Sequence, residues 1–250
     1  MPKNTVYVTI LREPAPMFES IFTYLRLDAR FNITGSNPFQ TFLNNPYAYY
    51  NKSPDGLAKD PMLNDLGMEK KFKENHEYID KMIQQLTGKF NLVMLTEYFH
   101  ESLILLKDLM CWSTEDVVYF TLNARAKSSV YSDAMTSQMV KQIKQWNSGD
   151  VKLYDHFNRT FWNIVDRFGR DKMRVEIEKL KTLNEQLRSR CVGHVVQNKG
   201  GVWRPHGIDI EALQLKPEAD NDPQCITMAL TEVEYTKRLR TLLKERHHIE

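Results

Sequence analysis

The sequence predicts an α/β fold in which a parallel sheet is flanked by helices. Two observations carry this. The runs TVYVTIL (5–11) and KFNLVMLTEYF (89–99) are apolar and β-branched nearly throughout, the pattern of strands buried on both faces. A helical pattern follows each of them. Phe18, Ile21, Phe22 and Leu25 recur at helical spacing after the first, and HESLILLKDLMCW (100–112) follows the second. Strand alternating with helix is the mark of the α/β class.

Taken in order, Pro14 and Pro16 can begin a helix but not continue one, so the opening reads strand, turn, helix. Residues 31–67, rich in Asn, Pro, Gly and Tyr, read as a long loop with short helices. A loop of that length in a compact domain serves function or acts as a lid. Residues 69–87 carry a mostly polar helical pattern, and DVVYFTLNAR (116–125) reads as a short third strand. Residues 151–190 form one or two helices with Phe157, Phe161, Trp162, Val165 and Phe168 on one face. A Gly-containing loop covers 193–207, and EVEYTKRLRTLLKERHH (232–248) is a basic amphipathic helix. There is no internal repeat. Two or three strands make a thin sheet for 250 residues, so either strands hide in the loop segments or the domain is incomplete in this sequence.

Composition narrows the function. With 42% hydrophobic residues the chain can bury one sizeable core. Its 34 basic and 32 acidic residues give a net charge of +2, no global sign of nucleic-acid binding. No run of 18 apolar residues occurs and Met1 leads almost at once into a strand, so neither a transmembrane helix nor a signal peptide is read here. Three cysteines are too few for a disulfide scaffold. Cys111, inside LLKDLMCW, reads as a buried thiol, whereas Cys191 and Cys225 lie in polar surroundings and could pair in an oxidising compartment. Asn32, Asn51 and Asn158 head glycosylation sequons, the second weakened by Pro54.

Among candidates for chemistry, Arg12 comes first. At the C-terminal edge of a parallel strand it would face the crevice where α/β sheets bind ligands, and its planar fork matches phosphate oxygens. Ser20, less than two turns into the following helix, could reach the same anion, with the helix N-terminus adding partial positive charge. The residues alone leave open a structural ion pair of Arg12 with Glu13 or Glu19. NKGGVW (198–203) is a weaker phosphate-loop candidate, and Arg125, closing LNAR, is either a second basic group at the sheet edge or a surface arginine. The seven histidines have no metal spacing, and His76, His100, His156, His194 and His206 are individually candidate acids or bases without a partner evident in the sequence. No nucleophile-elbow, Walker A or dinucleotide-binding motif is present.

Several blocks together carry a family likeness. TILREPAPMFESIFTYL, FLNNPYAYY, FNLVMLTEYFHESLILLKDLMCW, DVVYFTLNAR and YDHFNRTFWNIVDRFGRDKM occur in the order found in the galactose-3-O-sulfotransferase family, and the chain resembles that family over about residues 4–192. The resemblance implies a P-loop-NTPase-like sulfotransferase fold. It implies transfer of sulfate from 3′-phosphoadenosine 5′-phosphosulfate (PAPS) to the 3-hydroxyl of galactose on a glycolipid or a glycoprotein glycan, without a metal. It implies a Golgi membrane protein facing the lumen, and a homo-oligomer is a further expectation. Arg12 and Ser20 match the family's pair for the donor 3′-phosphate, with Arg125 a weaker addition, and Asn32 and Asn158 are the expected glycan acceptors. The family carries a membrane anchor, a lysine-bearing 5′-phosphosulfate loop and a histidine suited to the base role ahead of this region. The expectation is therefore one incomplete domain over 1–250, with an acceptor-side insertion at 26–88, a helical segment at 151–192 and a basic helix at 229–248. Such a chain would bind nucleotide weakly and transfer no sulfate by itself, and its catalytic base is unassigned. Two other readings stand beside it: a non-catalytic homologue that binds nucleotide or pairs with a relative, and a cytosolic helical interaction protein.

Overall fold

The computed structural model describes residues 5–52, 56–122, 135–197 and 211–247. The chain forms two compact units, Met1–Trp112 with Asp133–Ile177, and Ser113–Ser132 with Glu178–Glu250.

The first unit is built on a parallel pair, β1 (Val8–Leu11) and β2 (Leu92–Leu95), in register from Val8 opposite Leu92 to Leu11 opposite Leu95. Asn91 extends the pairing, its Oδ1 accepting from Tyr7 N at 2.9 Å. Between the strands run α1 (Pro14–Tyr24), α2 (Leu27–Arg30), α3 (Pro38–Asn44), α4 (Pro46–Tyr50), α5 (Pro61–Asp65) and α6 (His76–Lys89). Four of these six helices start on proline, whose fixed φ suits the first helical position and whose missing N–H costs nothing there. The segment 31–67 is thus several short helices, each punctuated by Asn-Pro or Asp-Pro. After β2 come α7 (Phe99–Met110), α8 (Ser137–Trp146), α9 (Ser148–Phe168) and α10 (Arg170–Cys191), the last ending in the second unit. Buried Ser102 of α7 ties itself to the end of β2, donating to Leu95 O and accepting from Leu95 N, each at 3.0 Å. Cys111, expected to be buried, is exposed. It caps α7 in the left-handed conformation (φ 55°), and that turn lifts it off the apolar face.

The core of this unit is aromatic. Phe18 and Phe22 of α1 meet Phe39 and Phe42 of α3, with Phe22 and Phe39 ring centres 4.8 Å apart, and Trp146 of α8 closes the cluster edge-on to Phe42. Beside it sits a buried polar pin that joins 56–73 to the α8–α9 junction. Lys73 Nζ, fully enclosed, donates to Gly56 O (2.7 Å), Lys59 O (2.5 Å) and Asp60 O (3.4 Å). Lys59 Nζ donates to Trp146 O at 2.8 Å and lies over the Trp146 ring. Asp60 Oδ1 accepts from Asp150 N, while Asp150 accepts from Met62 N and Leu63 N, all at 2.9 Å. Gly149 lies where a Cβ would come 2.7 Å from Leu63 Cδ1 and 3.0 Å from Asp60 Cγ. Gly149→Ala is expected to cost about 1–3 kcal/mol by forcing the pin apart, and a denaturation midpoint equal to that of the parent chain would show that the junction yields.

The second unit has the antiparallel pair β3 (Val192–Gln197) and β4 (Glu211–Leu215), followed by α11 (Pro223–Ala229) and α12 (Glu232–His247). Two sequence expectations are corrected here. The start of the expected loop 193–207 is a strand, bulged near Gly193, and the described part of DVVYFTLNAR, 116–122, is not one. Glu115–Val117 is a single 3-10 turn, and Val118–Leu122 has no ladder partner among the described residues. Its Phe120 is apolar because it enters the core of Leu187, Cys191, Val192, Leu213 and Cys225. Cys191 and Cys225 are joined by a disulfide across that core, with Cα atoms 5.3 Å apart.

Candidate functional site

The C-terminal edge of the parallel pair gathers the polar groups. β1 runs out at Leu11, and Arg12 and Glu13 make the turn into α1. β2 runs out at Leu95, and Thr96 and Glu97 follow. Glu97 draws the two strand ends together. Its Oε1 accepts from Glu13 N at 2.8 Å and from Thr96 Oγ1 at 3.0 Å, and its Oε2 accepts from the Tyr154 hydroxyl of α9 at 3.1 Å. Burial first, and then the Glu97 charge, push the Tyr154 hydroxyl above its ordinary range, so it stays a proton donor. Glu13 is occupied as well, with Oε2 accepting from Ala15 N (3.1 Å) and Oε1 paired with Lys144 of α8 (2.7 Å).

These contacts bear on the ion-pair reading of Arg12. Glu13 belongs to Lys144, Glu19 accepts from Thr23 Oγ1, and the half-buried Arg12 side chain has no ion pair or hydrogen bond among the described residues. Ser20 is also half-buried and makes no side-chain hydrogen bond among the described residues. At roughly 100° per residue it lies on the side of α1 away from Phe18 and Phe22, outside the aromatic packing. One expectation changes. The α1 N-terminus offers an anion no free amide: Pro14 and Pro16 have none, Ala15 N is taken by the Glu13 carboxylate, and Met17 N by Glu13 O at 3.0 Å. An anion at this edge would be held by side chains, not by the helix end.

The remaining sequence candidates fall elsewhere. Arg125 and the NKGGVW loop lie outside the described residues. Asn32 sits in an exposed left-handed turn (φ 53°), while Asn158 is inside α9 with its Oδ1 buried. His156 contacts Thr87 Oγ1 at 2.8 Å, and burial lowers its affinity for a proton. Among the described residues no cluster of three or more His, Cys, Asp or Glu side chains could hold a metal ion, and no helix is long and apolar enough to cross a membrane.

Sequence reading missed Glu97, because a lone glutamate after a strand announces nothing until its partner, 84 positions earlier, is beside it. Its role is to position the Arg12 turn. Glu97→Ala should cost about 1 kcal/mol by orphaning Glu13 N and the Tyr154 hydroxyl. Equilibrium denaturation checks this, and unchanged stability would argue that the strand ends stay joined without it.

Comparison with known proteins decides the family. The galactose-3-O-sulfotransferase family matches residues 1–243. The chain belongs to the galactose-3-O-sulfotransferase family. Mouse (Mus musculus) galactose-3-O-sulfotransferase 3 is 36% identical over 264 residues, covering 98% of this chain and 61% of the relative. Human (Homo sapiens) galactosylceramide sulfotransferase is 37% identical over 220 residues, covering 86% of this chain and 49% of the relative. Pig (Sus scrofa) galactose-3-O-sulfotransferase 2 is 33% identical over 257 residues, covering 96% and 63%. This galactose-3-O-sulfotransferase family chain therefore spans roughly half to two thirds of the relatives it matches. No solved structure matched it.

Proposed function

We propose that the protein transfers a sulfuryl group from PAPS to the 3-hydroxyl of a galactose on a glycolipid or glycan, and that Arg12 and Ser20 hold the donor's 3′-phosphate. The observation that carries this is a guanidinium with no ion pair or hydrogen bond among the described residues, at the C-terminal edge of a parallel pair, in a chain whose residues 1–243 match the family. Two parallel N–H donors of Arg12 suit two oxygens of a phosphate monoester, and the Ser20 hydroxyl adds a neutral donor.

In the reaction the acceptor oxygen bonds to sulfur as the bond from sulfur to the bridging oxygen breaks. Adenosine 3′,5′-bisphosphate leaves with that electron pair, and a base takes the hydroxyl proton. Arg12 and Ser20 act at the far end of the donor. They fix its register and leave the sulfuryl group to other residues. Acceptor contacts are assigned to 26–88. There the half-exposed Tyr47 ring, with its hydroxyl donating to Glu74, gives a sugar an apolar face beside a carboxylate. The Cys191–Cys225 disulfide supports an oxidising compartment, in keeping with work in the Golgi lumen on a membrane-attached protein.

Calorimetry tests the nucleotide site without needing turnover. Chain 1–250 should bind adenosine 3′,5′-bisphosphate more tightly than adenosine 5′-monophosphate, which lacks the 3′-phosphate. Equal affinities would dismiss the Arg12 site. Radiolabelled donor and a galactosyl acceptor then test transfer, and binding without transfer would favour a non-catalytic homologue.

A further inference from the structure

We propose that Lys144 of α8 is a positioning residue for the Arg12–Ser20 nucleotide site, a role that rests on the function proposed above. By balancing the charge of Glu13, it leaves Arg12 open to the donor's 3′-phosphate. The strand ends are crowded with acid. Glu13 follows Arg12 directly, Glu97 accepts from Glu13 N at 2.8 Å, and Glu19 comes just before Ser20. Carboxylates there oppose an incoming phosphate. Glu13 has a second way to interfere, because consecutive Cα atoms lie only about 3.8 Å apart and its side chain could take the Arg12 guanidinium for itself.

Glu13 is held where it does this least. It is the N-cap of α1, with Oε2 accepting from Ala15 N at 3.1 Å, and Oε1 meets Lys144 Nζ at 2.7 Å. The cap keeps the carboxylate at the strand end whether or not Lys144 is present. Lys144 therefore decides only whether that fixed charge is balanced. With it, the corner of Arg12, Glu13 and Lys144 carries a net positive charge; without it, none. Glu97 takes no such cation among the described residues and is satisfied by Glu13 N, Thr96 Oγ1 and the Tyr154 hydroxyl.

Packing puts Lys144 in place. α8 lies against α1, and its Ile143 and Trp146 enter the aromatic core with Phe18 and Phe22. That anchors the helix so that Lys144, between them, reaches the α1 start. The Lys144 and Glu13 side chains are 46% and 26% exposed, so their pairing adds little to stability. What it changes is the field beside Arg12.

Calorimetry of chain 1–250 tests this role. Lys144→Gln should weaken adenosine 3′,5′-bisphosphate about fivefold, the scale of one partly screened charge, and should change adenosine 5′-monophosphate far less. Lys144→Arg should keep the parent affinity. Adding Glu13→Gln to Lys144→Gln should restore it, because the glutamine carbonyl still caps Ala15 N but carries no charge. The thermal midpoint of Lys144→Gln should stay within about 3 °C of the parent. An unchanged bisphosphate affinity overturns the proposal, as does a loss that Glu13→Gln does not restore or one shared equally by both nucleotides. A parent chain with no preference for the bisphosphate is a different failure. It removes the 3′-phosphate site itself, and the role of Lys144 with it.

Discussion

Replacing Lys73 by methionine should cost the protein about 3–5 kcal/mol, the scale of breaking a buried charge network by removing one partner. Its ammonium is the shared donor for three carbonyls that approach from Gly56, Lys59 and Asp60. Methionine fills much of the volume and supplies no donor, so those carbonyls lose their partner. Two buried acidic side chains, Asp60 and Asp150, also lose a positive charge that favours their ionised form. Denaturant unfolding reads the loss as a lower midpoint, and a shift under about 1 kcal/mol would mean the pin is not held by this charge.

The same pin gives a pH response whose sign is fixed. Burial, and then the charge of Asp60, push the Asp150 carboxyl from 3.8 up to about 8. A carboxyl that binds its proton more tightly folded than unfolded contributes its full stability below the unfolded value and loses it as pH climbs through the folded one. Stability should fall between about pH 4 and about pH 8, and Asp150→Asn should flatten that slope while lowering stability at the acid end, where Asn cannot accept from both Met62 N and Leu63 N.

Arg12→Ala should remove about 2–4 kcal/mol of affinity for adenosine 3′,5′-bisphosphate, roughly 30- to 1000-fold. Preference over adenosine 5′-monophosphate should vanish with it. Because Arg12 has no ion pair or hydrogen bond among the described residues, fold stability should stay within about 0.5 kcal/mol. That pairing of outcomes separates a ligand-facing arginine from a structural one. A destabilised variant with unchanged nucleotide affinity would return Arg12 to the structural class.

The parts of the fold that were legible depended on local chemistry. The β-branched runs gave β1 and β2, and prolines at first helical positions gave the start of α1. Arg12 could be read because a strand end followed by Pro defines where its side chain emerges. What stayed hidden depended on distant partners. Val118–Leu122 is apolar like a strand, yet its burial comes from packing and not from a ladder. β3 and β4 are short and separated by a long connection, so neither shows a clean alternation. Asp60, Lys73 and Asp150 look like ordinary surface residues until the chain brings positions about 90 apart together. The α1 N-terminus looked like an anion site because capping by Glu13 is visible only in three dimensions.

The Cys191–Cys225 bond ties the two ends of a stretch with sequence separation 34. A tethered ring tolerates growth cheaply, since doubling its contour adds only about 0.6 kcal/mol of closure entropy. Insertions and deletions in natural relatives should therefore collect between Gln197 and Glu211, within the ring but outside its two paired strands. A foreign peptide spliced between those two positions should be accepted with the strands and core of the second unit left as they were.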